Sequence, residues 1–391
     1  YGFMGATYSA FQLVGAPILG RWSDSYGRKK ILLLSQAGTL ASWTVFVAAF
    51  FLPSHSLVRV ESEWLGAFGL TLPLLVMFLA RATDGLTGGN ISVANAYLAD
   101  VSGEGQRSAN FGKMAVSTNL GFILGPALAG LLGATAWGEL LPVLAALLIS
   151  LVATLLIAVK LPESKPCLMR SDPEHTNVRK VFGQEHKECF EMKGAAKLSL
   201  REILGLRTVP YLMVIYFLVM LGFNFFYIAF PVYAVTGLRW SVVDIGIFFS
   251  VLGLLMVIAQ GPVLSRASKR FSDAVLVVSG SFVLAAGFVC FASRSYAVVY
   301  LGAVLLALGN GLMWPSVLSM LSKTAGADYQ GAVQGFAGSS GAVASIVGLV
   351  IGGILYGFLE AWIFVLSAAI IFAVFALSFR LPALARRNPV R

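Results

Sequence analysis

The stretch "GAPILGRWSDSYGRKKILLL", Gly15–Leu34, decides how the chain is read. An apolar run ends, Arg21, Asp24, Arg28, Lys29 and Lys30 follow within ten residues, and a second apolar run begins. Such alternation continues to the end of the chain. The 391 residues are 58% hydrophobic and 12% charged, whereas soluble domains carry about 25% charged residues. Apolar runs of about 20 residues recur, each long enough to cross a hydrocarbon core of about 30 Å. Core helices of soluble proteins are shorter and two-faced. The expectation is an all-α, polytopic membrane protein.

Eleven spans are expected, near 1–20, 31–52, 70–95, 111–133, 140–160, 209–233, 243–264, 274–292, 296–321, 333–357 and 361–380. The one long hydrophilic stretch, 161–207, is rich in Lys, Glu, Arg and His. It reads as a linker between an N-terminal bundle, 1–160, and a C-terminal bundle, 208–391. The net charge of +10 would point to nucleic acid if it were spread over a surface. Instead, one alternating set of loops and the tail hold 24 Lys and Arg, and the opposite set holds only Arg59, Arg239 and Arg294. That asymmetry is topology, not nucleic-acid binding, and it places the linker and the C-terminus in the cytoplasm. Tyr1 would then lie outside. It stands inside an apolar run without a charged lead-in or a cleavage site, so no signal peptide is expected and the front looks clipped. One helix upstream would make the halves six plus six.

The halves echo each other. "PILGRWS" (Pro17–Ser23) returns as "PVLSRAS" (Pro262–Ser268), and "DGL" (Asp84–Leu86) as "NGL" (Asn310–Leu312). "GPALAGLLG" (Gly125–Gly133) returns loosely as "GLVIGGILYG" (Gly348–Gly357). Three echoes in one order, each at the matching span, indicate an internal repeat.

These residues resemble the major facilitator superfamily of secondary transporters. Its loop signature between helices two and three is matched by Gly20-Arg21-Trp22-Ser23-Asp24-Ser25-Tyr26-Gly27-Arg28-Lys29-Lys30. The resemblance implies two pseudo-symmetric six-helix bundles, with 11 of 12 helices present and the first missing. The fourth-helix signature falls on Arg81-Ala82-Thr83-Asp84-Gly85, with Asp84 where Gln is usual. The antiporter signature of the fifth helix falls on Gly121, Gly125, Pro126 and Gly130, with Ala129 replacing one Gly. The stretch Ala94–Gly112 looks like the tetracycline-resistance and multidrug branch. The resemblance therefore favours export over uptake.

For the opening loop, the resemblance implies a gate. Asp24 would dock at the start of the eleventh helix, whose candidate start is Gly331–Gln334, and Arg28 would pair with Asp100. Gly27 belongs to the same loop. A carboxylate suits the positive end of a helix. The competing reading is topology plus a local Asp24–Arg28 pair, and for Lys29 and Lys30 topology is preferred.

Arg81 and Asp84 are the charged residues deepest in an expected span, Asp84 about 20 Å from either end. A charge at the bilayer centre costs about 2.5–3.5 kcal/mol even on insertion scales. Three residues apart, they share a helix face and can pair. Either they only fix packing, or Asp84 binds the coupling proton and Arg81 tunes it. Relatives in the family also place a coupling acid on the first helix.

Gly121, Gly125, Pro126 and Gly130 form a small-residue face for close helix approach, kinked by Pro126. The span Tyr211–Val235 is aromatic, with Tyr216, Phe217, Phe223, Phe225, Phe226, Tyr227, Phe230 and Tyr233 around one amide, Asn224. Such a wall suits a lipophilic, often cationic ligand, although any single ring could be core or lipid-facing. Gln260, Asn310 and Trp314 are further mid-span groups expected to face the interior. The expected substrate-binding set is Phe223, Asn224, Tyr227, Gln260, Asn310 and Trp314.

Cys167, His175, His186 and Cys189 in the linker are too irregularly spaced for a zinc site, and three cysteines give no disulfide framework. No phosphate loop and no hydrolase constellation stand out. Neither an enzyme, a cofactor nor a metal is expected. The expected partners are a small-molecule substrate, a proton and the lipid bilayer, with the protein a monomer in the plasma (inner) membrane. The expected activity is proton-coupled efflux of lipophilic small molecules by alternating access. Proton-coupled uptake of a small nutrient, or a non-transporting receptor or scaffold, are the alternatives.

Overall fold

The computed structural model describes residues 2–62, 66–101, 107–164 and 208–382. Within them, several side chains lie outside the description, among them Arg21, Asp24, Asp100 and 325–335. The candidate zinc residues of the linker lie outside the described residues.

The described chain is helical apart from one hairpin. The helices are α1 (Gly2–Tyr26), α2 (Arg28–Ala49), α3 (Leu72–Thr87), α4 (Ile91–Val101), α5 (Arg107–Gly133) and α6 (Leu140–Lys160). After the linker come α7 (Val209–Thr236), α8 (Val242–Ala267), α9 (Asp273–Cys290), α10 (Tyr296–Leu359) and α11 (Trp362–Ser378). Among the described residues, seven helical segments are long and apolar enough to cross a bilayer: α2, α6, α7, α8, α9 and two windows of α10. The other four expected spans fall on α1, the α3–α4 pair, α5 and α11.

Three local departures have clear causes. Within the external loop expected at 53–69, β1 (Ser56–Ser62) pairs antiparallel with β2 (Gly66–Thr71). Thr71 ends it and caps α3, its hydroxyl accepting from Leu74 N–H at 3.4 Å, with Pro73 in the first turn. The span expected at 70–95 breaks at Gly88–Asn90 into α3 and α4. The spans expected at 296–321 and 333–357 share one helical backbone, α10. Yet Trp314 and Gly341 both lie against Tyr216. The Trp314 ring centroid is 4.8 Å from that of Tyr216, and a Cβ on Gly341 would lie 2.9 Å from Tyr216 Cε1. A straight helix would hold those residues about 40 Å apart, so α10 doubles back between its two apolar windows.

The helices fall into two compact units. One groups Tyr1–Ala6, Asn119–Ala134 and Ala195–Arg391; the other groups Thr7–Thr118 and Thr135–Gly194. The start of α1 and the end of α5 thus cluster with the C-terminal helices. The C-terminal unit has an aromatic core. Phe226 meets Phe230, Phe288, Phe291 and Phe364 at centroid distances of 4.7–6.2 Å, and Phe230 stacks on Phe248 at 4.3 Å. Each such ring removes a large apolar area from other surroundings and locks its neighbours by edge and face contacts. At one end of this unit, Lys323 on α10 reaches Asp273 at 2.7 Å, where the carboxylate starts α9. The N-terminal unit has a smaller core of Leu19, Ile31, Leu32, Val93, Tyr97 and Val101.

Candidate functional site

The Arg81–Asp84 pair forms. Arg81 Nη1 stands 3.2 Å from Asp84 Oδ2 on α3, and Asp84 is buried. Three residues on one helix bring the groups together, as spacing alone requires. The structure adds what surrounds them. Tyr8 on α1 lies under the guanidinium, its ring centroid 4.9 Å from Arg81 Cζ. Thr39 on α2 lies near the Asp84 side chain. Ser42, Trp43 and Phe46 of α2 close a small cavity against Ala80, Arg81 and Asp84.

Asp84 also lies one turn before a helix break. A break inside a membrane frees carbonyls that lipid cannot satisfy. Two neighbouring helices supply the donors. Gln12 Nε2 on α1 donates to the Gly88 carbonyl at 3.4 Å, and the Ser35 hydroxyl on α2 donates to the Thr87 carbonyl. Gln12 also donates to the Tyr8 hydroxyl at 3.3 Å. The break is therefore a built feature, and it sets Asp84 beside polar groups of three helices. Tyr8, Gln12, Ser35 and Thr39 were not singled out from sequence. The Tyr8–Gln12 spacing of four was a visible polar stripe in an apolar run, but nothing in it names α3 as the partner. The Thr87-Gly88-Gly89-Asn90 run was the available signal for the break.

The loop after α1 turns on Gly27 and packs on Glu163. Gly27 has φ 100°, and a Cβ there would lie 2.8 Å from Glu163 Oε1. The loop's turn thus needs glycine twice over, for backbone angle and for space. Glu163, just beyond α6, accepts from Lys29 N–H at 2.9 Å at the start of α2. Tyr97 donates to the Pro162 carbonyl at 3.0 Å and fixes that carboxylate's segment. The principle expected of Asp24, a carboxylate on a helix N-terminus, is met here by Glu163 on α2. The expected docking partner of Asp24, Gly331–Gln334, lies in the α10 backbone between its two apolar windows. Arg28 Nη1 donates to Ser23 Oγ at 2.6 Å. The Asp24 and Asp100 side chains lie outside the described ones. Lys29, assigned to topology, also donates from Nζ to the Ala158 carbonyl at 3.0 Å. Glu163→Ala is expected to cost about 1 kcal/mol, the scale of a lost cap plus a dipole contact, read as a lower Tm in a thermal-shift assay. An unchanged Tm would show that α2 does not depend on this carboxylate.

The antiporter glycines do not share one packed face. A Cβ on Gly130 would lie 2.9 Å from Gly246 Cα, and one on Gly246 would lie 2.9 Å from the Pro126 carbonyl. Pro126 and Gly130 therefore form a backbone-to-backbone crossing with α8. Gly121 and Gly125 have no described atom within 4 Å of such a Cβ. The cause is spacing: Gly125 is turned about 40° from Gly121, but Gly130 about 140° from Gly125.

The aromatic span divides as well. Phe225, Phe226, Phe230 and Tyr233 are core residues, while Phe223 is partly exposed and Tyr227 exposed beside Phe249 of α8. Asn224 Nδ2 donates to Ser345 Oγ on α10 at 3.1 Å and to the Met220 carbonyl at 2.7 Å. Tyr216 and Trp314 pair one turn-set away on the same helices. Asn310 instead belongs to the α8–α10 crossing, its Nδ2 3.7 Å from Met256 Sδ. Gln260 lies in that crossing too, within a π turn at Ala259–Val263, where a Cβ on Gly311 would meet Ala259. Of the expected binding set, Asn224 and Trp314 meet partners between α7 and α10, and Asn310, one turn from Trp314, and Gln260 lie at the α8–α10 crossing. π turns recur at functional positions. Ser345 was missed because its partner comes from a helix over a hundred residues away.

Long apolar helices with a buried ion pair at a helix break are those of a polytopic membrane protein, and the family model for the Major Facilitator Superfamily matches residues 1–349 and 212–391. The chain belongs to that superfamily. It is similar to the class C tetracycline resistance protein of Escherichia coli, 27% identical over 89% of this chain and 78% of that one. The class B protein of Escherichia coli is 24% identical over 97% and 85%. The human hippocampus abundant transcript 1 protein is 28% identical over 92% and 65%. Among solved structures, the human organic anion transporter MFSD10 (TETRAN) matches with TM-score 0.65 and 23% identity over 96% of this chain and 83% of that one. A D-xylose–proton symporter matches with TM-score 0.68 and 15% identity over 96% and 86%. These two show the fold.

Proposed function

We propose that this superfamily transporter is a proton-coupled exporter of lipophilic small molecules that works by alternating access. The observation that carries the reading is the Arg81–Asp84 ion pair beside the α3–α4 break, ringed by Tyr8, Gln12 and Thr39. Sites for coupling ions in secondary transporters sit at discontinuous helices near the midplane. A proton on Asp84 cancels its charge and leaves Arg81 with the Tyr8 ring as its remaining partner. Loss of the proton restores the pair. Each state favours a different arrangement of α1, α2 and α3, and a substrate that binds one of them better shifts the balance. The resistance proteins among the relatives support export of a drug-like compound, and Tyr216, Phe223, Asn224, Tyr227 and Trp314 supply aromatic and amide groups for it.

The loop charges orient the protein with 161–207 and the C-terminus in the cytoplasm and the halves 1–160 and 208–391 moving against each other. The protein acts as a monomer in the plasma membrane. The Gly20–Lys30 loop gates the cytoplasmic side, with Asp24, Gly27, Arg28 and Asp100 as its members.

The test is proton movement in inside-out vesicles carrying the full-length protein. An acid interior is imposed and lipophilic cations, including a tetracycline, are added one at a time. Collapse of the gradient on addition of a compound supports antiport. Co-movement of proton and a sugar in the same direction would replace export by uptake. Ligand binding with no flux at all would make the protein a receptor.

A further inference from the structure

A second cavity, of about 620 Å³, opens at the end of the C-terminal unit opposite the Lys323–Asp273 pair. Its wall includes Tyr233 and Thr236 from the end of α7, Arg294 between α9 and α10, Tyr356 from the end of α10, and Glu360 and Trp362 from the α10–α11 turn. Its volume lies within the usual range for small-ligand sites. One cation and one anion share it, and among the described residues neither Arg294 nor Glu360 makes an ion pair.

The groups between them are arranged. Tyr233 donates to the Ser293 carbonyl at 3.3 Å, which ties the end of α7 to the residue before Arg294. Thr236 Oγ1 and the Tyr356 hydroxyl are 3.0 Å apart in the wall. Glu360 is held at φ 45°, ψ −123°, a conformation in which a side chain is strained and glycine is at ease. Its N–H reaches the Tyr356 carbonyl at 2.9 Å, and its carbonyl accepts from Ile363 N–H at 3.2 Å. A helix C-terminus of this kind ordinarily ends on Gly. Here the strained position carries a carboxylate on a cavity wall, and strain of this kind gathers at ligand clamps.

We infer that this cavity binds a phosphate–ammonium zwitterion of the phosphoethanolamine type. Arg294 takes the phosphate through its planar fork of donors. Glu360 takes the ammonium, which the Tyr356 and Trp362 rings also attract. The site lies at the ends of the apolar segments, where Trp and Tyr mark the headgroup level, and Trp362 is 70% exposed. That chemistry reaches the site either as a phospholipid headgroup or as a water-soluble zwitterion.

The test is native mass spectrometry of the full-length protein in mild detergent. It is titrated with phosphatidylethanolamine, phosphatidylglycerol and glycerophosphoethanolamine, as wild type, R294Q, E360Q and E360G. Each variant should weaken ethanolamine-ligand binding about tenfold or more, the scale of one lost charge-assisted hydrogen bond. Phosphatidylglycerol, which lacks the ammonium, should weaken only in R294Q. E360G should keep or raise the Tm, because it relieves the backbone, so its loss of binding is not loss of fold. Binding of the lipid alone makes the ligand a headgroup; matching behaviour of glycerophosphoethanolamine makes it a soluble zwitterion, and both results keep the site. Equal binding in all four proteins, or binding of neither ethanolamine compound, overturns it.

Discussion

Asp84→Asn is expected to abolish substrate-driven collapse of a pH gradient in inside-out vesicles while leaving the protein in the membrane. The amide keeps the shape of the side chain and its capacity to hydrogen-bond. It cannot carry a proton or hold Arg81 by charge. Breaking a fully buried pair costs about 3–5 kcal/mol, but the Arg81 side chain is 27% exposed and has the Tyr8 ring beside it, so the loss in stability should be well below that. Arg81→Gln together with Asp84→Asn removes both charges and should restore the Tm without restoring coupling. That pair of readouts separates a proton carrier from a packing device. If the double variant regained pH-driven exchange, or if Asp84→Asn kept it, the pair would be structural and the coupling group would lie elsewhere.

Gly130→Leu is expected to stop transport altogether, and Gly130→Ala to cut it about tenfold. At Gly130 a Cβ would stand 2.9 Å from Gly246 Cα and 3.3 Å from the Val242 carbonyl, with backbone on the far side rather than a yielding side chain. Overpacking a tight contact costs about 1–3 kcal/mol, and here the only relief is to part α5 from α8. Gly246→Ala should behave like Gly130→Ala, since the crossing is reciprocal. Gly125→Leu is the control. It adds the same bulk on the same helix where no described atom lies within 4 Å, so it should transport normally. Equal damage from Gly125→Leu and Gly130→Leu would mean that the signature acts through the flexibility of α5 rather than through this crossing.

Both results bear on how much could be read in advance. The Arg81–Asp84 pair was legible because it is local: three residues of helix bring two charges together, and lipid makes an unpaired charge costly. The surrounding Tyr8, Gln12 and Thr39 were not legible, since each comes from another helix and is ordinary in its own segment. The glycine signature was legible as a motif but not in its division, which depends on which face of α5 meets α8. Glu163 was invisible for the same reason. It lies over a hundred residues from the Lys29 N–H it caps, and nothing in its own segment names that partner.

What the sequence alone determined is the protein's relation to the membrane: a polytopic chain of apolar helices. Hydrocarbon demands that each span satisfy its own backbone, so composition and length suffice. What only the tertiary structure decided is which polar groups meet. It closed the α3–α4 break with donors from α1 and α2, folded α10 back so that Trp314 and Gly341 share Tyr216, and placed Arg294 and Glu360 on one cavity wall. Those contacts depend on the rotation and crossing of helices, which are set by close packing between elements and leave no periodicity in the chain.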